Sequence, residues 1–154
     1  MNQNQPADPI QELLVIGYGN ELRCDDSVGP RVAAAVDALR LPGVGTLICQ
    51  QLSPEHAEPV SQARVVVFVD AAVDAPREVQ FRKLDPAGSS QLMAHAADPR
   101  TLLALARDVF GRAPEAWWLT IPAVKLGFGE DLSAEAQHGL EEAVEKIKAL
   151  CVRA

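Results

Sequence analysis

Five consecutive apolar residues from Val65 to Val69 restrict the fold of this chain more than any other feature. Four of the five are valine, whose β-branched side chain favours strands, and the run stops at Asp70. Because no polar residue alternates with the apolar ones, the run predicts a strand buried on both faces, which is typical of parallel sheets. Leu13-Leu14-Val15-Ile16 has the same character and ends at Gly17. We therefore expect two strands of a mostly parallel sheet.

Helical and strand patterns alternate along the rest of the chain. Further strands are predicted at 46–50, 79–84 and 117–121, and helices are predicted to begin near Pro30, Ser53, Asp98 and Ser133. The alternating pattern of 79–84 indicates a strand with one exposed face, at or near a sheet edge. The order predicts an α/β fold, a single three-layer domain over 12–154 with about five strands in a mostly parallel, twisted sheet and helices on both faces. Residues 1–11 are predicted to form a disordered tail.

The last two predicted helices carry clear apolar stripes. For the helix after Asp98, the residues expected to be buried are Leu102, Leu103, Leu105, Ala106 and Val109. For the helix capped by Ser133, they are Ala136, Leu140, Ala143, Val144, Ile147 and Leu150. Both stripes should face the sheet.

The overall charge and the cysteines exclude several classes of protein. The formal net charge is −7, from 21 acidic and 14 basic residues, so we expect no nucleic-acid partner. No apolar run approaches the roughly 20 residues of a membrane span, and the N-terminus lacks the features of a secretory signal. The three cysteines lie far apart, which argues against disulfides and a structural zinc site. We expect a cytoplasmic, monomeric protein that does not bind membranes.

The turn after the first strand begins Gly17-Tyr18-Gly19-Asn20, which superficially suggests a dinucleotide site. That site needs a third glycine, where this chain has Leu22, and Asp25 and Asp26 would then repel a pyrophosphate. The Walker, zincin and serine-hydrolase motifs are also absent from the sequence. We therefore expect no nucleotide.

Carboxylates and one histidine are the remaining candidates for chemistry. Asp25 and Asp26 follow the first strand, Asp70 ends the strongest strand, and His95 lies in a predicted loop. Ligands of parallel sheets bind beyond the carboxyl ends of the strands, where these side chains can converge on nickel or zinc. Each also has a plain structural interpretation: a helix cap for Asp25, a polar strand end for Asp70 and a surface position for His95.

The segment from Gly17 to Gly29 closely resembles the signature of the [NiFe]-hydrogenase maturation endopeptidases, Gly-x-Gly-Asn-x-Leu-x-x-Asp-Asp/Glu-x-x-Gly. Val69-Asp70-Ala71 and His95 are also similar to this family, and the resemblance covers nearly all of the chain after the tail. It implies an endopeptidase that removes the C-terminal extension of a hydrogenase large-subunit precursor once nickel is inserted. The precursor is then the partner, and its nickel is bound by Asp26, Asp70 and His95.

The resemblance also suggests roles for individual residues. Asp26 and Asp70 are the predicted catalytic carboxylates, with Asp25 a candidate base, and Gly19, Asn20, Gly127 and Gly129 are predicted to contact the substrate. The simpler interpretation of the segment 127–130, and the one that the sequence favours, is a connection into the last helix. Cys24 departs from the family, in which a small residue or threonine is common. Two alternatives stay open: a non-catalytic assembly factor that binds the precursor, and a metal-dependent hydrolase of small molecules.

Overall fold

The computed structural model describes residues 11–73, 77–88 and 98–153. The strands are β1 (Gln11–Tyr18), β2 (Val44–Cys49), β3 (Ala63–Ala72), β4 (Gln80–Leu84) and β5 (Glu115–Pro122). The α-helices are α1 (Val28–Ala38), α2 (Ala57–Ser61), α3 (Pro99–Phe110) and α4 (Ala134–Arg153). Short 3-10 helices at Cys24–Ser27 and Pro54–His56 precede α1 and α2. The predicted order of elements is confirmed.

The strands form one sheet in the order β2-β1-β3-β5-β4. All neighbours are parallel except β4, which pairs antiparallel with β5 at the edge, as its alternating sequence predicted. β3 is the central strand, and Val67 pairs with Val15 on one side and Trp117 on the other. The apolar run is therefore covered by strands on both sides and by helices on both faces. Gln11 already belongs to β1, paired with Ala63, so the predicted tail boundary at residue 11 is wrong.

Helices cover both faces of the sheet, as predicted. On one face α1 and α4 pack over residues such as Val15, Val67 and Leu119. On the other, α2 and α3 pack over Ile16 and Phe68. The stripe of α4 lies in or against the first of these cores.

One predicted core residue of α3 is wrong: Val109 is 62% exposed. It lies in the last turn of the 12-residue α3, which packs on the 5-residue α2. The last three residues of α3, at 108–110, are all exposed, whereas Leu102, Leu103 and Ala106 are fully buried.

The predicted helix caps are present. Asp98 Oδ1 accepts a hydrogen bond from the Arg100 amide at 2.8 Å, and Ser133 Oγ accepts one from the Ala136 amide at 3.1 Å. Ser53 starts the Pro54–His56 turn, and its amide donates to His56 Nδ1 at 2.9 Å. Among the described helices, none is long and apolar enough to cross a membrane.

Candidate active site

Glycines allow the acidic turn to pack directly on the central strands. A Cβ added to Gly17 would lie 2.1 Å from the carbonyl oxygen of Gly29, and one added to Gly29 would lie 2.5 Å from that of Val69. Gly19 has a φ of 152°, and a Cβ there would lie 2.0 Å from the carbonyl oxygen of Asp26. These approaches place the turn between the carboxyl ends of β1 and β3.

Asp26 is half-buried and holds the turn in shape. Its Oδ2 accepts a hydrogen bond from the Asn20 amide at 2.8 Å, while Asn20 Oδ1 accepts one from the Leu22 amide at 2.9 Å. Within the described part of the chain, Asp26 Oδ1 accepts no hydrogen bond. One carboxylate oxygen is therefore left for a ligand.

Asp70, near the end of β3, lies close to Asp26. Its pKa is raised to about 6, mainly by burial and to a smaller extent by the nearby charge of Asp26, while hydrogen bonds from Tyr18 and the Ala71 amide partly oppose the rise. The Tyr18 hydroxyl donates to Asp70 Oδ2 at 3.2 Å. Because it is costly to ionise two adjacent carboxylates at the same time, this pair of side chains favours a bound cation.

Tyr18 is a neutral hydrogen-bond donor at this site. Burial, followed by the charge and the hydrogen bond of Asp70, raises the pKa of its phenol well above the usual range. The Trp118 side chain partly opposes this rise, although its buried Nε1 atom has no acceptor in hydrogen-bonding geometry among the described residues. Trp118 lies against the same core cluster as Tyr18.

Asp25 is fully buried, and both of its carboxylate oxygens are occupied. Oδ2 accepts from the amides of Val124 and Lys125 at 2.9 Å each and from Ser133 Oγ at 2.7 Å, and Oδ1 accepts from the Ser133 amide at 2.7 Å. Burial alone would raise the pKa of Asp25, but these bonds from Ser133, Lys125 and Val124 lower it overall. A carboxylate held this way is a weak proton acceptor, and its geometry suits an anchor.

The segment 124–133 is tied to the acidic turn, so the structure brings Gly129 to the predicted site. Gly129 bridges Arg23 in a short parallel pairing: its amide donates to the Leu22 carbonyl and its carbonyl accepts from the Cys24 amide, both at 2.9 Å. The Arg23 side chain donates to the Leu126 carbonyl at 3.2 Å, and the Arg31 guanidinium donates to the Glu130 carbonyl. Gly127 lies at the exposed tip.

Cys24 is buried in this turn with a φ of 45°. A Cβ added to Gly129 would lie 3.2 Å from the Cys24 Sγ, and the φ of Gly129 is 146°. The thiol therefore packs against the loop backbone at a position where only glycine fits without strain.

A cleft of about 510 Å³ lies beside the acidic turn. Its walls come from the turn and from the end of β2, namely Gly19, Asn20, Glu21, Leu22, Ile48, Cys49 and Gln50. Gly19 and Asn20, the predicted substrate contacts, therefore line a cavity of ligand size. The β2 residues were missed because their sequence carries no motif; the signal was their position at the carboxyl end of a strand adjacent to β1.

His95 lies outside the described residues. Asp98, three positions later, is close enough to Tyr18 for its charge to contribute to the raised phenol pKa. Among the described residues no group of three or more His, Cys, Asp or Glu side chains could hold a metal, so Asp26 and Asp70 form a pair. His56 caps a turn, and His138 lines a separate cleft of about 340 Å³ beside α4.

A mostly parallel sheet with paired carboxylates at the ends of its central strands defines an α/β protein of the kind that binds ligands at this edge. No sequence profile of a known protein family matches the chain, and no curated protein does. Solved structures do match, and several of them are hydrogenase maturation proteases.

HycI from Thermococcus kodakarensis KOD1 is 23% identical, with a TM-score of 0.71 and coverage of 94% of each chain. The hydrogenase 2 maturation peptidase from Thaumarchaeota archaeon SCGC_AB-539-E09 is 24% identical, with a TM-score of 0.67 over 91% of this chain and 98% of that one. HybD from E. coli is 21% identical, with a TM-score of 0.68 over 93% of each. The chain has the fold of these proteases along nearly its whole length.

Proposed function

We propose that the protein is an endopeptidase that cleaves the C-terminal extension from a [NiFe]-hydrogenase large-subunit precursor after nickel insertion. The observation that carries the proposal is the pairing of Asp26 and Asp70 at the carboxyl ends of β1 and β3, inside a fold that solved hydrogenase maturation proteases share. The signature from Gly17 to Gly29 coincides with this turn, so motif, fold and carboxylate pair support the same activity.

Asp26, Asp70 and His95 act as ligands to the nickel that the precursor carries. Asp26 presents Oδ1, since Oδ2 is held by Asn20, and Tyr18 orients Asp70 through its Oδ2. His95 precedes Asp98 by three residues, a stretch that spans at most about 11 Å, and Asp98 begins α3 near Tyr18.

Cleavage needs the peptide bond held still, a nucleophilic water and a polarised carbonyl. The carboxylates hold the precursor's tail across the cleft beside Asn20, which supplies positioning. Nickel acts as a Lewis acid when the precursor delivers it. Asp25, whose pKa is lowered and whose two carboxylate oxygens are both occupied by hydrogen bonds, is poorly suited to accept the proton of the attacking water. We assign Asp25 the role of anchoring segment 124–133.

Co-expression with the cognate precursor tests the proposal. Wild-type protein should shorten the nickel-loaded precursor, which intact-mass spectrometry detects. The Asp26→Asn and Asp70→Asn variants should each reduce the rate of this cleavage by at least about 100-fold. Asp85→Asn removes an exposed carboxylate and serves as the matched control. Precursor that stays full length with wild-type protein contradicts the proposal. Stable binding without cleavage would instead identify an assembly factor, and tightly bound stoichiometric metal in the isolated protein would favour a small-molecule hydrolase.

A further inference from the structure

Three large apolar side chains are exposed around the acidic turn. Phe128 is 91% exposed, Leu22 61% and Ile48 46%. Single exposed apolar residues are ordinary, but neighbouring ones beside a functional site indicate a surface for another molecule.

The three side chains belong to one surface. In a parallel pairing, the residues that precede the two bridging positions lie side by side, so the Arg23–Gly129 bridge brings Leu22 next to Phe128. Leu22 also lines the 510 Å³ cleft together with Ile48. Asn20, whose amide binds Asp26, lines the same cleft, which connects this surface to the carboxylate pair.

The loop that bears Phe128 is held in place before any partner arrives. Gly129 is bonded to both Leu22 and Cys24, and the Asp25 carboxylate binds Val124 and Lys125 on one side of the tip and Ser133 on the other. Because the backbone is already ordered, binding a partner costs little further conformational entropy. Exposed aromatic residues on ordered backbone are characteristic of protein recognition.

The charge around this surface selects the chemistry of the partner. Segments 20–26 and 124–133 contain five carboxylates, namely Glu21, Asp25, Asp26, Glu130 and Asp131, against two basic side chains, Arg23 and Lys125. Arg31, whose guanidinium donates to the Glu130 carbonyl, adds a third positive charge and leaves an excess of negative charge. Glu21, Glu130 and Asp131 are exposed, and none takes part in an ion pair among the described residues. A partner that combines an apolar side chain with positive charge complements this pattern.

We propose that Leu22, Ile48 and Phe128 form a docking surface, here called the Phe128 surface, for a segment of the protein substrate that presents an apolar side chain next to a lysine or arginine. The proposal rests on the proposed function for the identity of that substrate. The surface lies beside the carboxylate pair and contains none of the proposed nickel ligands. It therefore governs affinity for the precursor and leaves the chemical step to Asp26 and Asp70.

Steady-state kinetics on purified nickel-loaded precursor test the proposal. Phe128→Ser and Leu22→Ser should each raise KM by about tenfold or more, with kcat changed less than about twofold. Val109→Ser changes an apolar residue at the end of α3 that is as exposed as Leu22, and this matched control should leave both constants unchanged. A KM that stays at the wild-type value in the Phe128 and Leu22 variants overturns the docking surface.

The charge requirement is tested separately. Raising the salt concentration should increase KM for wild-type protein, and the Glu130→Gln/Asp131→Asn double variant should be less sensitive to salt. Equal salt dependence of the two proteins contradicts the requirement for a basic residue. Failure of wild-type protein to cleave at any precursor concentration would contradict the proposed function. If wild-type protein cleaves normally and the variants have the same KM as wild type, only the docking surface is contradicted.

Discussion

The hydroxyl of Tyr18 donates a hydrogen bond to Oδ2 of Asp70 across 3.2 Å, and this bond joins the ends of β1 and β3 at the candidate site. It fixes the orientation of the Asp70 carboxylate relative to β1. It also ties one proposed ligand to the sequence motif that contains the other, because Tyr18 and Asp26 belong to the same turn.

Tyr18→Phe should raise the pKa of Asp70 above its value of about 6, since the lost hydrogen bond favours the ionised form. The pH at which processing reaches half its maximum should move upward accordingly. Titration of the Asp70 carboxyl carbon by NMR measures the change directly, and the stability loss should be about 1 kcal/mol. An unchanged Asp70 pKa would show that the hydroxyl does not orient the carboxylate.

Asp70→Asn should stabilise the protein at neutral pH while removing activity. The folded pKa of about 6 exceeds the ordinary 3.8, so the folded protein binds more protons in this window and its free energy of unfolding falls as pH rises through it. The asparagine avoids this cost, with an expected gain of about 1–2 kcal/mol near pH 7 that vanishes near pH 4. Urea denaturation at both pH values measures it, and a destabilised variant at neutral pH would contradict the argument.

Asp25→Ala should destabilise the protein by about 2–4 kcal/mol, because three backbone amides and the Ser133 hydroxyl lose their acceptor. The folded pKa of Asp25 is lowered from 3.8, so this stabilisation is present above that value and is lost as pH falls through the folded pKa. Urea denaturation measures the free energy of unfolding of this variant and of the control Asp85→Asn, for which we expect a change of less than about 0.5 kcal/mol. Equal stability of the two variants would rule out the anchoring role.

Gly29→Ala should prevent correct packing of the acidic turn, since its Cβ would lie 2.5 Å from the Val69 carbonyl oxygen and 2.7 Å from that of Tyr18. We expect a loss of about 3 kcal/mol or more, or failure to fold. Gly88→Ala meets no atom within 4 Å and is the control. Thermal unfolding followed by circular dichroism distinguishes them, and a Gly29 variant as stable as the control would show that the turn can move away from β3.

The order of elements and the position of β4 could be predicted because each depends on local patterns of apolar residues. The pairing of Asp26 with Asp70 followed from the rule that parallel strands end at one edge. The bonds of Asp25 could not be predicted, since Val124, Lys125 and Ser133 show no sequence pattern that directs them to a residue about 100 positions earlier. The exposure of Val109 could not be predicted, because the apolar pattern of α3 continues to this residue in the sequence. The role of His95, the cytoplasmic location and the monomeric state stay predictions.

The anchor at Asp25 has a consequence for the order in which the molecule forms. Its hydrogen bonds span 99, 100 and 108 positions of the chain, so they can close only after nearly every other element exists. Contacts this distant in sequence are slow to form and come late in folding. During synthesis, the turn emerges from the ribosome early but gains its anchor only when α4 begins to appear. The site therefore becomes competent only after Ser133 has been synthesised, and a chain interrupted before Ser133 lacks the anchor.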